Sequence, residues 1–475
     1  MSILIRVFSI IFSFLMVLSS CSKPSSEYQL IGKLKSKGTE EISSSAISIG
    51  GETLDRDYAN YHEYKGYLDT LGAKKIRLQG GWAKTEKEKG VYDWAWLDSI
   101  IYDIVDRDIQ PWLQTSYGNP IYVGGGVANL SGGMPSSPEA LDAWDNWVDA
   151  MAGRYKDHVK IWEVWNEPDH GSSDTPVEDY VELYIRTTEI IRKHIPDAKL
   201  YALSLSGPYR TEYTRAFLDA LKEKEKLDLV DEITFHGYVK NPSDAYERLI
   251  PLKKLVDSYQ TGILLHQGEQ GCPSTYLESG ALREYPWTET SQYKWALRRM
   301  IGDLGNGYQT LYFTMVDLNY GDNTTTHIKN VNTKGLLKTN KANEVVAVKP
   351  SYHAVQNLIA VMDSSFRHMD EVKYEASIDS SYSVYGFRQV DTDHQVVALW
   401  FDGEIPSDTT DYRQVDFQFA NIRFTDPVYI DLSNGNVYGI PTTQWANREQ
   451  GSTFQDVSLT DSPVLLAERS LITTQ

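Results

Sequence analysis

The chain has 475 residues, enough to bury a large core and to form two domains. Its formal net charge of -19 excludes nucleic acid as a partner, because a phosphate backbone needs a basic surface, and weighs against polyanionic polysaccharides. The 31 tyrosines and 12 tryptophans suit a large core and equally the apolar faces of sugar rings.

Residues 1–21 read as a targeting segment, with Arg6 as a positive start and Val7 to Leu18 as an apolar run. The ending Leu18-Ser19-Ser20-Cys21 resembles the lipobox of bacterial lipoproteins. That resemblance makes Cys21 a lipidated first residue, and the protein an exported lipoprotein anchored in the outer membrane, at its periplasmic face or at the cell surface. An ordinary signal peptide with an incidental cysteine is the alternative. Only Cys272 is left in the mature chain beside Cys21, so no intramolecular disulfide between side chains is expected. A catalytic thiol would need a base partner, so Cys272 reads as a packed one. Residues 22–44, rich in Ser, Lys and Glu, read as a tether, with Tyr28 to Ile31 as a candidate strand of the last domain.

From residue 45 to 362 strand and helix patterns alternate eight times. The predicted strands are Ala46–Gly50, Lys75–Gln79, Gln110–Gln114, Ile161–Trp165, Leu200–Ser204, Glu232–His236, Gly262–Gln267 and Thr310–Val316. Between them, Asp98 to Val105 has helical spacing, Ser137-Pro138-Glu139 and Thr175-Pro176 read as helix starts, and Ser351 to Met362 supplies an eighth helix. Eight such units imply an α/β fold, a (β/α)8 TIM barrel. An open doubly wound sheet usually carries a Gly-rich phosphate loop after its first strand, and Ile49-Gly50-Gly51-Glu52 does not match one. Residues 363–475 carry short apolar or alternating runs at Ser381–Arg388, Gln395–Phe401, Val415–Phe419, Val428–Leu432, Val437–Ile440 and Val464–Ala467. Asn434-Gly435 between two of them predicts a type I′ hairpin. The C-terminal domain is therefore expected to be an antiparallel β-sandwich.

In such a barrel, function sits at the C-terminal ends of the strands. The fourth strand runs into Trp165-Asn166-Glu167-Pro168 and the seventh ends at Glu269. Two strand-end carboxylates are the minimum equipment for cleaving a glycosidic bond. Arg77, Gln79 and Trp82 belong to the second strand's end, Tyr117 and Asn119 to the third, His236 and Tyr238 to the sixth, Asp317 and Asn319 to the eighth. Glu163, inside the fourth strand, reads as half of a buried ion pair with Lys75 or Arg77. No metal or cofactor is expected, since the ten histidines form no His-Glu-x-x-His and no paired Cys motif occurs.

With these residues in place the chain resembles clan A glycoside hydrolases, through Trp165-Asn166-Glu167-Pro168 above all. It is most similar to family 39 through Gly80-Gly81-Trp82, Tyr117-Gly118-Asn119-Pro120 and the C-terminal sandwich. The resemblance implies that Glu167 is the general acid/base, that Asn166 holds the sugar 2-hydroxyl and that Glu269 is the nucleophile. Tyr238 and Arg77 would orient the nucleophile and keep it ionised, while His236 would line the pocket. A retaining mechanism then predicts carboxyl groups roughly 5–5.5 Å apart, against roughly 6.5–9.5 Å for an inverting one. The expected function is a retaining O-glycosidase acting on a neutral glycan, with exo-action favoured and β-xylosidase-like activity suggested by the family. The Gly- and Ser-rich insertion from Tyr122 to Pro135 could wall off one end of the cleft. A glycan-binding lipoprotein with a silent barrel and a transglycosylase are the alternatives.

Overall fold

Eight short strands, each followed by helix, curl into a ring in the computed structural model, which describes residues 27–129, 133–170, 175–321 and 330–475. Strand β1 (Gln29–Lys33) belongs to the C-terminal domain. The ring consists of β2 (Ile47–Gly50), β3 (Lys75–Gln79), β4 (Gln110–Thr115), β5 (Ile161–Val164), β6 (Lys199–Leu205), β7 (Glu232–Phe235), β8 (Leu264–Gln267) and β9 (Thr310–Tyr312). Neighbours pair in parallel in the order β8-β7-β6-β5-β4-β3-β2-β9. A bridge between His266 and Gln309 joins the two ends and nearly closes a (β/α)8 barrel. Helices start where capping chemistry allows. Ser137 caps Pro138–Tyr155 by accepting from Ala140 N at 3.1 Å, whereas Val177–His194 begins at Pro176 without a side-chain cap from that residue.

The interior of the barrel is polar rather than aliphatic. Near the base, His266 Nδ1 meets Glu232 at 2.9 Å, and Gln309 Nε2 donates to the same carboxylate at 3.3 Å. One layer higher, Arg77 Nε donates to Glu163 Oε2 at 2.7 Å. Glu163 therefore pairs with Arg77, while Lys75 binds the amide oxygen of Gln309. Buried charges persist only when paired and hydrogen-bonded, and here the pairing fixes which strands face each other.

The C-terminal domain is a sandwich of a seven-stranded and a four-stranded sheet. Gln395–Phe401 shows why it packs on the barrel. Alternate side chains point to opposite faces of a strand, so Val397, Leu399 and Phe401 enter the sandwich core while Val396, Ala398 and Trp400 join the barrel core. Strand β1 pairs with Asn436–Gly439 at the edge of the larger sheet. Leu34 bridges Thr474, and Thr39 and Ile42 are buried. The strand expected at Tyr28 to Ile31 thus forms as β1, and beyond it the segment is pinned to the fold at Leu34, Thr39 and Ile42. Residues 1–26, with the targeting segment and Cys21, lie outside the described residues. Among those described, no helix is long and apolar enough to cross a membrane.

The hairpin predicted at Asn434-Gly435 forms, but through a different turn. Asp431 pairs with Asn436, leaving a four-residue loop in which Gly435 alone has positive φ (76°), and Gly435 N donates to Asp431 O at 2.8 Å. A type I′ turn would need positive φ at both central residues.

Candidate active site

The polar rim forms because the strand ends turn inward. After β5 the chain leaves extended geometry, with Trp165 at φ 64° and Glu167 at φ 49°. Left-handed backbone at non-glycine residues is costly and persists where the surroundings impose it. Here Trp165 N donates to Thr115 O at 3.1 Å, and Glu167 N to Ser204 O at 3.1 Å. The Glu167 carboxylate is thereby aimed at His236, whose Nδ1 lies 2.7 Å from Oε1. Glu269, just past β8, accepts from the Tyr238 hydroxyl at 3.0 Å and from Arg77 Nη1 at 3.0 Å. One oxygen of Glu167, one of Glu269 and a ring nitrogen of His236 all lie within 4.8 Å of one another.

Arg77 organises the floor. It is fully buried, and all five of its N–H donors are used. Nε binds Glu163; Nη1 binds Glu52 Oε1 at 2.8 Å as well as Glu269; Nη2 binds Asn166 Oδ1 at 2.8 Å and Ser204 Oγ at 2.9 Å. Asn166 Nδ2 donates to the Tyr117 hydroxyl at 3.0 Å, which also receives Gln79 Nε2 at 3.3 Å. Eight of the ten pocket residues expected from sequence therefore form one connected cluster: Glu167, Glu269, Asn166, His236, Tyr238, Arg77, Gln79 and Tyr117.

The environment separates the carboxyl groups. Burial pushes Glu269 up, but His236, Arg77 and the Tyr238 hydroxyl outweigh it and hold the carboxyl below its ordinary value. Burial opposes protonation of His236, yet the facing charges of Glu269 and Glu167 raise its pKa. Burial drives Tyr238 well above its ordinary value, helped by the charge of Glu269, so it stays a hydroxyl donor. Glu52 is pushed up to about 7 by burial, against the pull of Arg77 and with the charge of Glu269 adding. The floor thus holds one carboxylate favoured in its ionised form by its neighbours and another hydrogen-bonded to a protonatable imidazole. Glu167, His236 and Glu269 also have the spacing of a metal-ligand set. The two carboxylates face different nitrogens of the ring, however: Glu167 Oε1 is hydrogen-bonded to Nδ1 at 2.7 Å, while Glu269 Oε2 stands 3.7 Å from Nε2.

The family model described as Glycosyl hydrolases family 39 matches residues 64–452. The chain belongs to glycosyl hydrolase family 39. A solved family 39 glycoside hydrolase from Bacteroides cellulosilyticus superposes with a TM-score of 0.62, at 16% identity over 90% of this chain and 81% of that one. A family 39 β-xylosidase from Caulobacter crescentus gives 0.59, at 16% identity over 93% and 98%. At that identity the likeness is one of fold. The β-galactosidase bgaB of Geobacillus kaustophilus is 26% identical over 144 residues, 26% of this chain. The chain spans about a fifth of the length of the curated relatives it matches, 21% for that enzyme.

Two of the expected pocket residues of this family member lie elsewhere. Trp82 is 0% exposed, stacked between Tyr122 and Trp147 at 5.6 and 5.9 Å, with its indole N–H on Glu86. A short helix (Trp82–Thr85) begins at this residue, and the aromatic cluster behind the rim takes the ring. Asp317 is turned away into an ion pair with Lys349 at 2.6 Å and accepts from Gly335 N at 2.9 Å. Asn119 and Asn319 spend their amides on the carbonyls of Glu86 and Lys341. Cys272 is buried, its thiol pushed well up by burial, as a packed cysteine should be. In the insertion, Tyr122 packs on Trp82; residues 130–132 lie outside the described residues.

Three residues escaped sequence reasoning: Glu52, Gln114 and Ser204. Glu52 stands just past β2, and reading that strand end as the others were read would have flagged it. Gln114, on β4, donates to Glu163 Oε2 at 2.9 Å. Ser204 is placed by a β-bulge that no local pattern announces.

Proposed function

We propose that the protein is a retaining O-glycosidase in which Glu269 is the nucleophile and Glu167 the general acid/base. In the first step an oxygen of Glu269 bonds to the anomeric carbon, the glycosidic C–O bond breaks and the proton of Glu167 goes to the departing oxygen. In the second, Glu167 takes a proton from water, the water oxygen bonds to the anomeric carbon and the Glu269 ester bond breaks. The carrying observation is the short approach of the two carboxylates, within 4.8 Å. An approach this close favours the roughly 5–5.5 Å carboxyl separation of a retaining enzyme over the roughly 6.5–9.5 Å that an inverting one needs for its water. The asymmetric support of Glu269 by Arg77 and Tyr238 favours the same division of roles. Asn166, held by Arg77 and Tyr117, is suited to the sugar 2-hydroxyl.

The named activities of the relatives, a β-xylosidase and a β-galactosidase, together with the net charge of -19, favour a neutral β-linked glycan as substrate. Anchoring through a lipid on Cys21 remains part of the proposal. A panel of aryl β-glycosides, with the anomer of the first product followed by proton NMR, tests the reading. Retention by the native protein and loss of turnover in Glu269→Gln are expected. An inverted product, or a Glu269→Gln variant as active as the native chain, refutes it. Glycan binding with no turnover in either protein would make it a binding lipoprotein instead.

A further inference from the structure

The bulge in β6 has a chemical purpose. Between Ala202 and Leu205 the pairing with β7 slips, and Leu203 and Ser204 adopt φ of 76° and 44°. Two consecutive left-handed residues are unfavourable for side chains of this kind. They are held there by Tyr180, whose hydroxyl accepts from Leu203 N at 2.7 Å, and by Thr234, whose hydroxyl accepts from Ser204 N at 3.1 Å. The result is that the buried hydroxyl of Ser204 stands at the centre of the floor. It lies 2.9 Å from Arg77 Nη2, 3.0 Å from Asn166 Oδ1 and 2.8 Å from His236 Nε2.

A hydroxyl has one hydrogen to donate and two lone pairs to accept, which settles the assignment of these three contacts. Arg77 can only donate, so it fills one lone pair. Asn166 Oδ1 faces the donors Arg77 Nη2 and Gln114 Nε2, so that atom is the amide oxygen. Were the Ser204 hydrogen turned to His236, Ser204 Oγ and Asn166 Oδ1 would meet at 3.0 Å with no hydrogen between them. The hydrogen therefore goes to Asn166, and the second lone pair of Ser204 takes a proton from His236 Nε2. Glu269 Oε2, at 3.7 Å from Nε2, is beyond hydrogen-bond reach. With Nε2 protonated, the 2.7 Å contact between His236 Nδ1 and Glu167 Oε1 carries a single proton that either atom can hold.

We propose that Ser204 is a positioning residue for the acid step: by keeping Nε2 of His236 protonated, it leaves Nδ1 to share with Glu167 the proton delivered to the leaving group. Losing the hydroxyl removes the acceptor that holds the Nε2 proton; once that proton passes to solvent, Nδ1–H donates to an ionised Glu167 and no acid proton is in place. This inference rests on the acid/base assignment of Glu167, and its test has one arm that does not.

The test uses Ser204→Gly, because glycine accepts φ of 44° without strain, with Ser204→Ala as the second variant. In the full chain labelled with 15N-histidine, the ring nitrogens of His236, assigned by loss of signal in His236→Asn, should show a protonated Nε2. Ser204→Gly should shift the signals toward the Nδ1–H form. In kinetics, kcat/KM for an unactivated methyl or phenyl glycoside should fall about tenfold more than for a dinitrophenyl glycoside, whose departure needs little acid assistance. Equal losses for both leaving groups, or native His236 with Nε2 unprotonated, overturn the proposal. If neither glycoside is turned over by the native chain, the functional reading fails while the tautomer measurement still decides the role of Ser204.

Discussion

Replacing Glu52 by Gln should stabilise the protein progressively as the pH rises. Glu52 is 1% exposed; Oε1 accepts from Arg77 Nη1 at 2.8 Å, and Oε2 is buried without a hydrogen-bond partner. Burial sets its pKa at about 7, against an ordinary value of 4.5. At acid pH the group is neutral in both folded and unfolded chains and contributes no slope. Between these two values it ionises on unfolding but not in the fold, so stability falls by about 1.4 kcal/mol for each pH unit. Above about pH 7 the loss levels off at about 3 kcal/mol. Gln keeps an oxygen for Arg77, has the same shape and cannot ionise. Its second amide hydrogens meet no acceptor, which adds a cost of about 1–3 kcal/mol independent of pH. The diagnostic quantity is therefore the slope, read from urea unfolding of both proteins between about pH 5 and about pH 8. A stability difference that stays constant across that range would refute the buried, protonated carboxyl.

Tyr238→Phe should lower kcat by about 10²-fold, the usual effect of losing one donor at a reacting carboxylate, and should move the acid limb of kcat/KM to higher pH. The sign follows because the lost hydroxyl is one of the groups that hold Glu269 below its ordinary value; an unmoved limb would count against it. Trp82→Ala should cost about 3–5 kcal/mol in unfolding experiments while leaving KM unchanged. A raised KM at native stability would return Trp82 to the pocket. Lys349→Met should cost about 3–5 kcal/mol at pH 8, because it strands a buried carboxylate. Burial already raises Asp317 to about 6 with Lys349 beside it, so below that pH the stranded group takes up a proton and the cost shrinks. Equal losses at pH 8 and pH 5 would contradict this.

The order of strands and helices was legible because periodicity is a local property. All eight barrel strands lie where alternating or continuous apolar runs predict them, and six of the sandwich strands likewise. The sandwich strands at Phe366–His368, Tyr374–Ala376 and Trp445–Asn447 escaped detection, each being three residues long and thus too short to show a period. Ser452–Leu459 escaped as well, whereas the strand expected at Tyr28 to Ile31 formed as β1.

Residue types at strand ends were enough to nominate Glu167, Glu269, Asn166, Arg77, His236 and Tyr238, because a parallel barrel brings its strand ends to one rim whatever the loops do. Sequence could not say which way a side chain turns after the strand stops. That choice sent Trp82 into an aromatic cluster and Asp317 to Lys349, and it lifted Ser204 into the floor through a bulge. Left-handed backbone at Glu167 and Ser204 costs energy locally and is returned only by hydrogen bonds between strands, so the folded barrel alone decides it.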